Sequence, residues 1–220
     1  MKYKPMLAYP VSKKPIDYSK PVFIQPKLDG VRCLIQYDKG VITAYSRTGK
    51  VWKNIEHITL NLYKFFDKHP NVILDGELYN HDFKNDFEQI ISMVRKTKPT
   101  DVDRLISREN VQFHCYDIVD KRRKFSTRDK WITDNLKESY CIKTVPTIKM
   151  TSEAGARLTH AVNLKAGYEG SIVRLDDPYQ CKRSHSLRKF KDFSDAEANI
   201  VGYEEGKGKR TGTLGKFIMQ

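Results

Sequence analysis

An α+β fold is predicted by the way strand-like and helical stretches follow one another. They mix without the regular strand–helix alternation of a doubly wound parallel sheet. One pair of strand candidates, Arg32 to Tyr37 and Val41 to Tyr45, is joined by Asp38-Lys39-Gly40, a hairpin turn that makes antiparallel neighbours. The chain has 220 residues, 39% hydrophobic and 11% aromatic, which suits one sizeable domain or a domain with a small appendage.

The elements are expected as follows. Val22-Phe23-Ile24 and Cys33-Leu34-Ile35 are apolar runs of two strands with Lys27 between them. Glu56 to Lys68 has Ile58, Leu62 and Phe65 at helical spacing, and Pro70 ends it. Val72-Ile73-Leu74 reads as a short buried strand with Asp75-Gly76-Glu77 at its end. Asp86 to Lys96 is a helix through Phe87, Ile90, Ile91 and Val94, and Val111 to Val119 a strand. Ser126 is a candidate cap, with Asp129 as its acid, for a helix through Trp131 and Leu136. Ala154 to Lys165 is amphipathic and ends at Gly167. Strands follow at Gly170 to Arg174, Leu187 to Phe193, Ala198 to Tyr203 and Thr213 to Met219. The last two flank a basic glycine-rich loop containing Lys207, Lys209 and Arg210.

Forty Lys and Arg against 27 Asp and Glu leave a net charge of +13, which points to a polyanionic partner, nucleic acid before membrane. The N-terminus lacks a signal-peptide pattern and no stretch is apolar enough to span a bilayer. Cys33, Cys115, Cys141 and Cys181 are far apart, with no CxxC pair, and the six histidines show no ligand spacing, so zinc and redox motifs are disfavoured. Three of the cysteines read as buried free thiols of a reducing compartment. An intracellular location is expected, cytoplasmic or nucleoid-associated.

The residues with chemistry recur at strand ends. They are Lys27-Leu28-Asp29-Gly30-Val31-Arg32, Ser46-Arg47, Asp75-Gly76-Glu77, Tyr116-Asp117, Glu169-Gly170 and Lys189-Phe190-Lys191. Each alone is weak: a strand-end lysine is ordinarily solvated, and Asp-Gly or Glu-Gly pairs are common turns. In their order they resemble the nucleotidyltransferase motifs of the ATP-dependent DNA ligases, over nearly the whole chain.

The resemblance implies an ATP-grasp-like nucleotidyltransferase domain of antiparallel sheets flanked by helices, over residues 1–194. Residues 195–220 look like the entry to an OB-fold domain. A complete OB-fold has five strands and the tail supplies about two, so a truncated OB domain is expected. Lys27 would be the nucleophile toward ATP, forming lysyl-AMP, with Lys189 and Lys191 as its catalytic companions. Gln25, Arg32, Arg47, Glu77, Tyr116 and Glu169, together with those three lysines, would bind the nucleotide. Gln25 departs from the family, which often has Glu there. Glu77 and Glu169 would hold Mg²⁺ or Mn²⁺. Arg47, Lys207, Lys209 and Arg210 would contact DNA. The partners implied are ATP and nicked duplex DNA, for a monomer encoded by a cell, a phage or a virus. The alternatives are an mRNA-capping guanylyltransferase, an RNA ligase and a non-catalytic basic nucleic-acid-binding module.

Overall fold

The computed structural model describes residues 3–84, 86–192 and 197–220. Two five-stranded sheets face each other across a cleft. In the first the order is β1 (Leu7–Pro10), β10 (Arg183–Phe190), β9 (Ser171–Leu175), β2 (Val22–Pro26) and β8 (Ile148–Met150). In the second it is β4 (Val41–Tyr45), β3 (Val31–Asp38), β5 (Ile73–Tyr79), β6 (Gln112–Ile118) and β7 (Ile142–Thr144). Pairing is antiparallel except for β1 with β10 and β6 with β7. The α+β expectation holds.

Among the described residues, six α-helices complete the fold: α1 (Glu56–Asn61), α2 (Tyr63–Lys68), α3 (Phe87–Val94), α4 (Asp101–Asn110), α5 (Phe125–Asn135) and α6 (Glu153–Lys165). Side chains alternate along each strand, so each sheet has a dry face. Cys33, Ile35, Leu74, Leu78, Phe113 and Cys115 are buried with Ile58, Phe66, Ile90 and Ile132 in the larger core. Val22, Ile24 and Val173 pack with Ala156 of α6 in a smaller one. The opposite faces look into the cleft.

Several expected elements differ. The Glu56 to Lys68 helix is divided at Leu62 (φ −89°, ψ 0°) into α1 and α2, although Leu62, Phe65 and Phe66 are buried as the helical spacing predicts. The strand expected at Val72 to Leu74 runs on to Tyr79, so Asp75-Gly76-Glu77 lies inside β5. Ser126 does not cap α5: its N–H and hydroxyl bond Asp176, while Asp129 accepts from Thr147. Helix α4 and the short β1, β7 and β8 were not expected. Helix α4 carries a capping box between Thr100 and Asp103, a legible signal that its polar composition obscured.

The hairpin turn is as expected, with positive φ at Lys39 (50°) and Gly40 (86°), the geometry that suits a right-handed strand twist. The three apolar-context cysteines, Cys33, Cys115 and Cys141, are buried free thiols. No helix among the described residues is long and apolar enough to cross a membrane. Strands β11 (Ile200–Glu205) and β12 (Leu214–Met219) pair only with each other, as an exposed two-stranded sheet. The expected boundary at 194/195 and the end of the Leu187 to Phe193 strand lie outside the described residues; β10 itself ends at Phe190.

Candidate active site

Lys27 follows directly on β2 and is tied at both backbone ends. Its N–H donates to Gly170 O at 2.9 Å, and its carbonyl accepts from Glu169 N at 3.1 Å. Its Nζ ion-pairs with Glu169 Oε2, and Glu169 Oε1 ion-pairs with Lys191 Nζ. A single carboxylate thus bridges the two ammonium groups. Burial pushes the Lys27 amine below its ordinary pKa, against the opposing pull of Glu77 and Asp29. Lys191 is lowered too, by burial first and then by the nearby Lys27 charge.

The cleft here has a volume of about 320 Å³. Gln25, Lys27, Arg32, Arg47, Glu77, Tyr116, Lys189 and Lys191 all line it, joined by Arg174 and Arg183. An adjoining cavity of about 720 Å³ shares Arg32, Arg47 and Glu77 and adds Lys50, Arg95 and Lys96. Lys207, Lys209 and Arg210 are not in the cleft lining; they sit exposed in the turn between β11 and β12.

Glu77 enters from the second sheet, opposite Arg32 on β3. It accepts from the Tyr116 hydroxyl at 3.1 Å. Burial raises its pKa from 4.5 to about 7, although Arg32, Lys27 and the tyrosine hydrogen bond oppose the shift. Gly76 beside it has no room for a side chain, since a Cβ would meet the Phe113 ring at 2.6 Å. Tyr116 faces the cleft because its neighbour Cys115 faces the core, and a bulge falls at the same point. Asp75 pairs with Asp117 and Gly76 with Cys115, so Tyr116 is the extra residue of β6. The Arg32 and Arg174 guanidiniums lie 5.1 and 5.3 Å from its ring centroid.

Two residues that the sequence marked only as motif neighbours, Asp75 and Asp117, hold the walls in place. Asp75, fully buried, takes a bidentate pair from Arg32 (2.6 and 2.5 Å) and a hydrogen bond from Tyr179 Oη (2.6 Å). Asp117, equally buried, takes both Arg128 (2.7 and 3.1 Å) and Arg174 (2.7 Å). Arg174 also donates to Gln25 Oε1 at 2.7 Å, and Gln25 Nε2 donates to Tyr116 O and Thr147 Oγ1. Both the oxygen and the nitrogen of the Gln25 amide thus have protein partners, while the residue also lines the cleft. Arg128, Arg174 and Thr147 were missed because their partners are distant in sequence.

Glu77 lines the cleft, whereas Glu169 does not; the two oxygens of Glu169 pair with Lys27 and Lys191, which do, and no cluster of three metal-ligating side chains exists among the described residues. That donor set fits a small hard cation held by one or two carboxylates together with substrate phosphates and water.

Residues 5–191 match the family model described as ATP dependent DNA ligase domain. A DNA ligase of African swine fever virus is 31% identical over 205 residues, which cover 87% of this chain and 46% of that protein. The chain spans about half the length of such curated relatives. A structure from a study of Lig E DNA ligases, on DNA binding with a minimal scaffold, superposes with a TM-score of 0.76 at 21% identity, over 100% of this chain and 80% of that one. Chlorella virus DNA ligase-adenylate superposes with a TM-score of 0.66 at 21% identity, over 100% of this chain and 79% of that one. At these identities the superpositions speak for the fold, and the family match speaks for the lineage: the chain belongs to the ATP-dependent DNA ligase domain family.

Proposed function

We propose that this chain is the catalytic part of an ATP-dependent DNA ligase, with Lys27 as the residue that becomes adenylated. The observation that carries this is the Lys27–Glu169–Lys191 cluster, a desolvated lysine of lowered pKa in a cleft lined with cations. An ordinary lysine is neutral in only about one molecule in two thousand at pH 7, so a nucleophilic amine needs such help. Neutral Lys27 attacks the α-phosphorus of ATP. The Nζ–P bond forms, the bond to the bridging oxygen breaks, and pyrophosphate leaves. The AMP then passes to the 5′-phosphate of a nick, and the 3′-hydroxyl displaces it to seal the strand.

Lys189 and Lys191 neutralise phosphate charge as it develops. Tyr116 stacks on the adenine, and Arg32 holds the ribose or phosphate side with its orientation set by Asp75. Glu77 and Glu169 would hold Mg²⁺ or Mn²⁺, which would supply Lewis-acid screening of phosphate charge. Arg47, shared by both cavities, and the Lys207, Lys209 and Arg210 loop meet DNA phosphates. Residues 1–194 form the nucleotidyltransferase unit and 195–220 the start of an OB-fold.

Incubation with α-labelled ATP or GTP followed by denaturing electrophoresis tests the reading. Covalent label from ATP that disappears in Lys27→Ala supports it. Label from GTP points to a capping enzyme, and undiminished labelling in Lys27→Ala sinks the assignment of the nucleophile. Sealing of nicked DNA against nicked RNA separates DNA ligase from RNA ligase.

A further inference from the structure

His160 of α6 is nearly inaccessible, 4% exposed, and its ring lies flat on Phe190 with centroids 3.8 Å apart and planes 9° apart. Its two nitrogens face different strand ends. Nδ1 is 3.1 Å from Ser171 Oγ, and Nε2 is 3.2 Å from Asp192 Oδ1. Asn163 Nδ2 donates to the same serine oxygen at 2.8 Å. These partners are all satisfied by a neutral ring protonated at Nε2, with the Ser171 hydroxyl donating to Nδ1 and Nε2–H donating to Asp192.

The places that this ring ties together are informative. Ser171 stands two residues after Glu169, and Asp192 directly follows Lys191. Ser171 and Phe190 are also register partners between β9 and β10. Gly170, between Glu169 and Ser171, has φ +141°, and a Cβ there would overlap the Phe190 carbonyl and touch the His160 ring. The backbones carrying Glu169 and Lys191 are therefore clamped on each other and on one imidazole. β10 ends at Phe190, one residue before Lys191.

We propose that His160 is a positioning residue for the adenylation site: by bonding Ser171 and Asp192 it sets the separation of Glu169 and Lys191, and with it the placement of Lys27. The proposal rests on the reading of Lys27 as the nucleophile. A histidine that merely filled the core would act through its volume and its stack on Phe190 alone. The two hydrogen bonds distinguish the roles, and Asp192 allows one to be cut at the surface, since its side chain is 68% exposed.

The test uses three variants of this chain. His160→Phe keeps the volume and the stack and loses both bonds. Asp192→Ala loses one bond at little cost in stability. His160→Gln restores a donor where Nε2 was. Single-turnover lysyl-AMP formation at saturating ATP is expected to fall roughly tenfold in His160→Phe and a few-fold in Asp192→Ala, with ATP affinity within about twofold, and to recover largely in His160→Gln. The ε-methylene resonances of Lys27 and Lys191, read by NMR on ¹³C-lysine-labelled protein, are expected to shift in the first two variants while that of exposed Lys216 stays. Wild-type resonances in both variants would overturn the proposal, as would wild-type rates in both. If His160→Phe does not fold, Asp192→Ala decides by the same readings. A wild-type chain that takes no label from ATP defeats the nucleophile assignment instead, and the resonances still report whether His160 sets the cluster.

Discussion

Lys27 and Glu169 hold each other twice, once through their side chains and once through a reciprocal pair of backbone hydrogen bonds that includes Gly170. The amine is thereby fixed in position and charge-paired at rest. To become a nucleophile it must lose a proton, and the carboxylate that pairs with it also pairs with Lys191. Glu169 is the pivot of the resting site.

Replacing that pivot separates its roles from simple binding. Glu169→Gln keeps the size and one acceptor but leaves two ammonium groups facing each other without the charge that bridges them. Adenylation is expected to fall by about a hundredfold, the order of loss when reacting groups are misplaced by about an ångström. Nicked-duplex affinity is expected to stay within about twofold. Rapid-quench adenylation over a Mg²⁺ titration, beside a gel-shift measurement, checks both. Wild-type rates at every Mg²⁺ concentration in Glu169→Gln and Glu77→Gln alike would remove the metal role of the pair.

Glu77 makes stability depend on pH with a definite sign. Its pKa is raised from 4.5 to about 7 in the folded chain. Between those values the unfolded chain has released the proton and the folded chain still holds it, so stability falls as pH rises and the penalty is complete above pH 7. Glu77→Gln is neutral in both states and removes the penalty. It is expected to stabilise the metal-free protein by about 3 kcal/mol at pH 8 and hardly at all at pH 4.5. Thermal melts in a chelating buffer at the two pH values measure the difference; an equal gain at both would contradict the assignment.

Asp117 and its two arginines set a different expectation. Asp117→Ala leaves Arg128 and Arg174 buried without their countercharge, and Arg128 is only 1% exposed. The expected loss is about 3–5 kcal/mol, the usual cost of breaking a buried pair from one side. Chemical denaturation measures it. A loss below about 1 kcal/mol would mean that water or a rearranged neighbour replaces the carboxylate.

The basic turn is tested by salt. Each phosphate contact on duplex DNA contributes roughly −0.9 to the slope of log K against log salt. Replacing Lys207, Lys209 and Arg210 together by alanine is expected to flatten the slope by roughly 2–3 units if all three reach phosphates. Fluorescence anisotropy with a nicked duplex between low and moderate salt gives the slope. An unchanged slope and affinity would move the DNA surface to the cavity of Lys50, Arg95 and Lys96.

Local chemistry already determined much of this protein. The order of Lys27, Glu77, Tyr116, Glu169, Lys189 and Lys191 along the chain identified the family, because each motif is a short run of fixed residue types. The hairpin at Lys39–Gly40 and helix α6 were legible because turn geometry and amphipathic spacing act within a few residues. What the tertiary structure decided is how those residues are held. The bulge at Tyr116 depends on a register between β5 and β6, strands that are separated in sequence by α3 and α4. The occupation of Asp75 by Arg32, of Asp117 by Arg128 and Arg174, and of Gln25 by Arg174 depends on partners brought together only by sheet pairing. Spacing in sequence reports which groups are available; which of them stay free to do chemistry is settled by where their charges and hydrogen bonds are satisfied in three dimensions.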